Sequence, residues 1–157
     1  MRTDNRKVKN TVISIYFVLI VFGILLATVF KSLDMFVDST FFVFLGLFIA
    51  LVLFHSIAGY FEYDSDGNKI TVINKGLILT EYINYRQNKL EFTRNQLVGF
   101  KIKNYIIYKS LVLLIKNYEG RQTKERFNIT LVKRKNLKYV KQSLNKMVKE
   151  NRKKKQA

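Results

Sequence analysis

Two stretches of the chain carry almost no polar side chains, Thr11 to Phe30 and Phe41 to Phe61. A helix rising about 1.5 Å per residue needs about 20 apolar residues to cross roughly 30 Å of hydrocarbon. Each run has that length and contains no Asp, Glu, Lys or Arg. Helices in a soluble core keep a polar face, whereas Ile13-Ser14-Ile15-Tyr16-Phe17-Val18-Leu19-Ile20-Val21-Phe22 is apolar almost all round. The first run also exceeds the apolar core of a cleaved signal peptide, and Ala27-Thr28-Val29-Phe30 offers no small-x-small cleavage site. The pattern predicts an uncleaved helical hairpin: transmembrane helices at 11–30 and 41–61, joined by a short extracytoplasmic loop at 31–40.

Charge distribution orients that hairpin. Arg2, Arg6, Lys7 and Lys9 precede the first run, and only Lys31, beside Asp34 and Asp38, lies in the connection; the remaining cations follow the second run. Cytoplasmic flanks carry the excess of Lys and Arg, so residues 1–10 read as a basic cytoplasmic N-terminus. Both termini are expected on the cytoplasmic side of an inner membrane. Gly23 and Ala27 on one helix, and Gly46 and Ala50 on the other, are spaced to form small patches where two backbones approach closely. Gly and Ala are also common in membrane helices without any such contact, and both readings stay open.

After Phe61 the period shortens to two. Asp64-Ser65-Asp66-Gly67-Asn68 separates Tyr60–Tyr63 from Lys69–Ile73, and Asn74-Lys75-Gly76 separates that run from Leu77–Ile83, both hairpin signals. Leu90 and Phe92 alternate with Glu91 and Thr93, and Val98, Phe100 and Ile102 alternate with Lys101 and Lys103, as in sheets with one buried and one wet face. Ser110–Lys116 is too short to span and turns at Asn117-Tyr118-Glu119-Gly120 into Arg121–Ile129. Asn136 then offers an N-cap for a helix whose apolar stripe is Leu137, Val140, Leu144, Met147 and Val148, with Lys138, Lys141, Lys146, Lys149 and Arg152 along one flank.

About seven short strands followed by one amphipathic helix resembles the pleckstrin-homology-like (PH-like) domain that some bacterial membrane proteins carry behind transmembrane helices. The resemblance covers roughly Tyr60 to Asn151 and rests on the element order, the Asp66-Gly67 and Asn74-Lys75-Gly76 turns, and the helix from Asn136. It implies a membrane α-helical hairpin with two transmembrane helices, followed by an α+β PH-like β-barrel capped by a C-terminal helix. The PH-like domain is then cytoplasmic at 62–151, with a basic tail at 152–157. The chain has no Trp, and its first hairpin turn carries Asp64 and Asp66 where an inositide pocket needs cations, so the resemblance extends to the fold alone.

Composition changes the picture in one respect. The formal net charge is +17, and about +15 of it follows Gly59, from twenty-three basic and eight acidic residues. An AT-rich codon usage raises Lys together with Asn, Ile, Phe and Tyr, but it would raise Glu as well, and acidic residues stay scarce. Part of the charge is therefore expected to serve binding. Near an anionic bilayer each Lys or Arg is worth about 1 kcal/mol. Contact with anionic phospholipid headgroups is expected at Lys133, Arg134, Lys135, Lys138, Lys141, Lys146, Lys149, Arg152, Lys153, Lys154 and Lys155. The bland alternative is a solvated helix flank with a disordered tail. Nucleic acid is a weaker rival, because the best candidate for basic residues interleaved with aromatics, Lys103-Asn104-Tyr105-Ile106-Ile107-Tyr108-Lys109, reads equally well as a strand edge or loop.

Catalytic chemistry finds little material. With no Cys and a single histidine, His55, the chain supplies neither a thiolate nucleophile, nor a Ser/His/Asp triad, nor a multi-histidine metal site. Asp64-Ser65-Asp66-Gly67-Asn68 places its Gly too early for a calcium loop, and Asn128-Ile129-Thr130 matches the glycosylation pattern within a strand expected on the cytoplasmic side. No catalytic residue, cofactor or metal is expected. The chain reads as a membrane-anchored, non-enzymatic binding or scaffold protein with an unidentified protein partner. The alternative is an accessory subunit of a transporter or envelope complex, packed through its hairpin.

Overall fold

The computed structural model describes residues 2–32, 38–77, 88–117 and 119–156. The strand expected at Leu77–Ile83 therefore falls, from Ile78 onward, outside the described residues, as do Asp34 in the connection and the turn residue Tyr118. The side chains of Lys31 and Lys155 lie outside them too.

A short strand with no forerunner in the hydrophobic pattern, β1 (Arg2–Asp4), precedes helix α1 (Arg6–Ser32); α2 (Asp38–Ile57) follows. The chain then forms β2 (Tyr60–Asp64), β3 (Lys69–Lys75), β4 (Asn88–Thr93), a 3-10 turn at Arg94–Gln96, β5 (Leu97–Asn104), β6 (Lys109–Lys116), β7 (Gln122–Asn128) and α3 (Arg134–Gln156). All pairings are antiparallel, in two separate sheets ordered β1-β2-β3-β4 and β5-β6-β7. Phe61, Tyr63, Ile70, Val72 and Phe92 from the first sheet meet Leu97, Leu111, Leu113, Ile115 and Phe127 from the second, and Val140, Leu144, Met147 and Val148 of α3 close this core. The helix stripe read from the sequence is thus the face that α3 buries.

This architecture corrects the expected hairpin-plus-barrel fold. Among the described residues, one helix is long and apolar enough to cross a membrane, Arg6–Phe30, near the N-terminus. The apolar stretch of α2 is shorter, Phe44–His55, about 18 Å at about 1.5 Å per residue, and a two-span hairpin does not follow from it. The strands form two sheets rather than a closed barrel, and β1, taken from the basic N-terminus, extends the edge of the first sheet. Local alternation reports which face of a strand is buried but not whether a sheet closes, which depends on pairing between distant strands. Two boundaries move as well. Tyr60 and Phe61 are strand rather than helix, and Arg152 to Gln156 continue α3 rather than forming a separate tail. The acidic Asp64–Asn68 segment is a turn, with Gly67 at φ 83° and the Asp66 amide donating to Asp64 Oδ1 at 2.9 Å.

Three asparagines join the two helices to the two sheets. Asn5, only 3 % exposed, accepts from the Phe61 amide at 2.9 Å and donates to the Gly59 carbonyl at 2.9 Å, while its own amide donates to the Phe61 carbonyl at 3.2 Å. Asn74 donates to the carbonyls of Tyr60 (2.8 Å) and Asn128 (3.1 Å) and accepts from the Asn128 amide (2.9 Å), linking one sheet to the other. The Asn128 side chain donates to the Ile57 carbonyl at the end of α2 and accepts from the Thr130 amide. Gly59 leaves the space these contacts need, because a Cβ there would stand 3.2 Å from the Lys75 carbonyl oxygen.

Removing a partner from a buried polar network costs about 1–3 kcal/mol. Asn128→Ala is expected to lower unfolding stability by about that amount in denaturant titrations of the detergent-solubilised chain. Ser110→Ala provides the contrast: its buried hydroxyl has no hydrogen-bond partner among the described residues, and its removal should leave stability unchanged or raise it.

Candidate anion-binding groove and the base of the first helix

Strand β5 alternates Phe100 and Ile102, packed on the core, with Lys101 on its open face. Helix α3 runs antiparallel to β5: Asn151, near its C-terminus, donates to the carbonyls of Arg94 (2.7 Å) and Leu97 (2.8 Å) at the start of the strand. Between them lies a groove of about 620 Å³ with Phe100, Ile102 and Leu137 at its apolar floor and Lys101, Asn104, Arg134, Lys138 and Lys141 around it. It contains four cations and no carboxylate. Ion pairs among the described residues include Arg2–Glu62, Lys89–Glu91 and Arg121–Glu119, and the groove lining brings no acid beside its four cations. Exposed lysines and arginines gathered on one concavity attract polyanions through a summed field rather than through one bond.

A second groove of about 320 Å³ lies at the far end of α3, lined by Asn95, Lys116, Asn151, Arg152 and Lys154 among others. Along a helix rising about 1.5 Å per residue, Arg152 stands about 27 Å from Arg134. The cations expected to act together are therefore divided. Lys133, Arg134, Lys135, Lys138 and Lys141 occupy the first half of α3 or its approach, while Lys146, Lys149, Arg152, Lys153 and Lys154 occupy the second.

The first half is the end nearest α1. Leu131, just before α3, packs with Tyr16, Val12, Ala58 and Leu51 where the two apolar helices meet the domain. Asn136 does not cap α3, which begins at Arg134; it donates instead to the Asp4 carbonyl in β1 at 3.1 Å. Further cations surround the base of α1. Arg2 forms a bond of 2.8 Å to Glu62, whose other oxygen accepts from the Tyr60 hydroxyl at 2.7 Å, and Lys9 Nζ lies 5.6 Å from the centre of the Tyr60 ring.

Burial, reinforced by the bond to Glu62, pushes the Tyr60 phenol up to about 12. Burial also raises the Tyr63 phenol, which bonds to Ser143 at 2.9 Å and ties the first sheet to α3.

Elsewhere the expected sites are dispersed. Gly23, Ala27 and Ala50 line an apolar cleft between α1 and α2, but a Cβ added at Gly23 or at Gly46 would meet nothing within 4 Å, so the backbones do not approach closely there. His55 lies edge-on to Tyr16 with ring centres 6.1 Å apart. Among the described residues no group of three or more His, Asp or Glu is placed to hold a metal ion. Lys101 and Asn104 are groove residues that the sequence pattern does not single out. The one signal in the chain is Lys101 on the wet face of an alternating strand, but nothing local indicates that α3 lies beside it. Comparison of the chain with protein-family models, with curated proteins and with solved structures finds no match.

The phenol of Tyr60 yields a pH prediction. Its folded value, about 12, lies above the ordinary 10.0, so its contribution to stability is complete below pH 10 and is lost as pH rises through about 12. Phenolate absorbance of the native chain is expected to show a late-titrating component that loses one tyrosine's amplitude in Tyr60→Phe and disappears in denaturant.

Proposed function

We propose that the chain is a membrane-anchored, non-enzymatic binding module. Helix α1 holds the domain at a cytoplasmic membrane face, and the groove beside α3 rests on anionic phospholipid headgroups, leaving other surfaces to a protein partner. One observation carries this reading: the groove cations Lys101, Arg134, Lys138 and Lys141 lie at the end of the domain from which α1 departs. Beyond Tyr16, α1 exposes Phe17, Val18, Leu19, Ile20 and Phe22, side chains that lipid would cover. Arg2, Arg6, Lys7 and Lys9 add to the positive charge at the base of the helix, the arrangement expected on a cytoplasmic flank. At about 1 kcal/mol for each cation near an anionic surface, four groove residues suffice to favour one orientation of a tethered domain. The cations at the far end of α3 are left for solvent or for the partner.

An accessory role in a larger membrane complex is favoured by a different feature. The cleft between α1 and α2, about 880 Å³, is walled almost wholly by apolar side chains, among them Leu19, Ile20, Phe44, Leu47 and Phe48, and would accept a helix of another protein. A chain that sediments alone after mild extraction from its native membrane argues against that role.

Amine-reactive footprinting of the full chain in neutral and anionic vesicles tests the lipid reading. Lys101, Lys138 and Lys141 are expected to react more slowly in anionic than in neutral vesicles and to recover in high salt, while Lys149 and Lys154 react alike in both. Equal reactivity of the groove lysines in the two vesicle types would overturn the reading.

A further inference from the structure

We infer that the tip of the β5–β6 hairpin, Tyr105 to Tyr108, inserts into the interfacial layer of the same bilayer that holds α1, as a second and shallower membrane contact. This rests on the membrane reading above but not on the groove. The tip is unusual for a turn on a charged domain. Ile106 is fully exposed, Ile107 is 68 % exposed and Tyr105 52 %, so adjacent apolar side chains project without cover from the described residues. The turn is nevertheless built rather than loose: the Tyr105 amide donates to the Tyr108 carbonyl at 2.8 Å, and the two rings stack with centres 6.1 Å apart and planes 28° from parallel.

The register of the second sheet fixes where the tip points. Lys109 at the start of β6 accepts from the Ile129 amide at 2.9 Å and, through its own amide, donates to Thr130 Oγ1 at 3.1 Å. Because β6 and β7 are antiparallel, β7 leaves the sheet past Ile129 in the direction in which the hairpin leaves it before Lys109. Following β7 outward leads to Leu131, which packs with Tyr16 of α1, and Asn128 itself bonds to the end of α2. The tip therefore extends toward the side of the domain where the apolar helices attach.

Its composition matches the layer it would enter. Two isoleucines suit the acyl boundary, two tyrosines suit the headgroup level where aromatic rings with a polar tip collect, and Lys101, Lys103 and Lys109 behind them suit anionic phosphates. Burying two exposed isoleucines beside a tether needs little affinity of its own, since α1 already confines the tip near the surface.

The chain contains no Cys, so single-cysteine variants can each carry one environment-sensitive fluorophore. Probes are placed by Ile106→Cys at the tip, Phe22→Cys on α1 and Arg121→Cys on the opposite hairpin, all in the full chain reconstituted into vesicles of mixed neutral and anionic phospholipid. The expected result at position 106 is a blue-shifted emission, quenching by lipid-borne nitroxide and loss of quenching by aqueous iodide, with the reverse at position 121. A probe that is lipid-quenched at 22 but iodide-quenched at 106 overturns the insertion while sparing the membrane reading. Iodide quenching at both positions overturns the two together. Emission at 106 that is shifted but untouched by lipid-borne quencher identifies a second copy of the chain as the occupant and also overturns the inference. As a second measurement, Ile106→Asp with Ile107→Asp leaves the core untouched and should raise iodide accessibility of a probe at Tyr105→Cys.

Discussion

The structure depends on how the backbone is satisfied where two apolar helices enter a small β domain. At such a junction the helix ends and strand ends present N–H and C=O groups that neither a helix nor a sheet ladder can pair. Asn5, Asn74 and Asn128 supply both donors and acceptors there, bonding to Gly59, Phe61, Tyr60 and Ile57 from three directions. Asparagine suits the task because its amide offers two donors and an acceptor without charge, so it can be buried without the cost of an unpaired ion. Gly59 completes the joint by leaving room for the Lys75 carbonyl.

That joint gives the domain a defined end. With α1 held to β2 and α2 held to β7, the start of α3, the groove cations and the β5–β6 tip all face the side where the helices attach. Arg152 and Lys154, about 27 Å or more from Arg134 along the helix, line a separate groove at its far end. Charge that looks uniform in composition is thus partitioned by the direction of one helix. β2 illustrates the same economy of position, since Phe61 and Tyr63 enter the core while Tyr60 and Glu62, on the opposite face, are covered by Arg2 and the base of α1.

Short-range features are legible in the chain itself. Alternation of Val98, Phe100 and Ile102, the Asp66-Gly67 turn and the stripe from Leu137 to Val148 mark strands, a hairpin and a helix face through local geometry alone. Length and closure mislead. The run Phe41 to Phe61 counts as one apolar stretch, but its last residues belong to a strand, because Tyr60 and Phe61 pair with Lys75 and Asn74. Strand β1 is invisible in the pattern for a related reason: three residues, Arg2, Thr3 and Asp4, carry no periodicity, and they become a strand only because the edge of β2 is there to pair with them.

The sequence by itself determined an apolar N-terminal helix, a β-rich remainder ending in an amphipathic helix, and an excess of positive charge, since these follow from periodicity, turn chemistry and residue counts. Only the tertiary structure decided that the strands form two sheets, that three asparagines lock the helices to both, that Lys101 joins Arg134, Lys138 and Lys141 around one groove, and that Ile106 and Ile107 stand uncovered at the tip of one hairpin. Each of these rests on contacts between residues far apart in the chain, and no local pattern encodes which distant partner a strand edge, an amide or a lysine will meet.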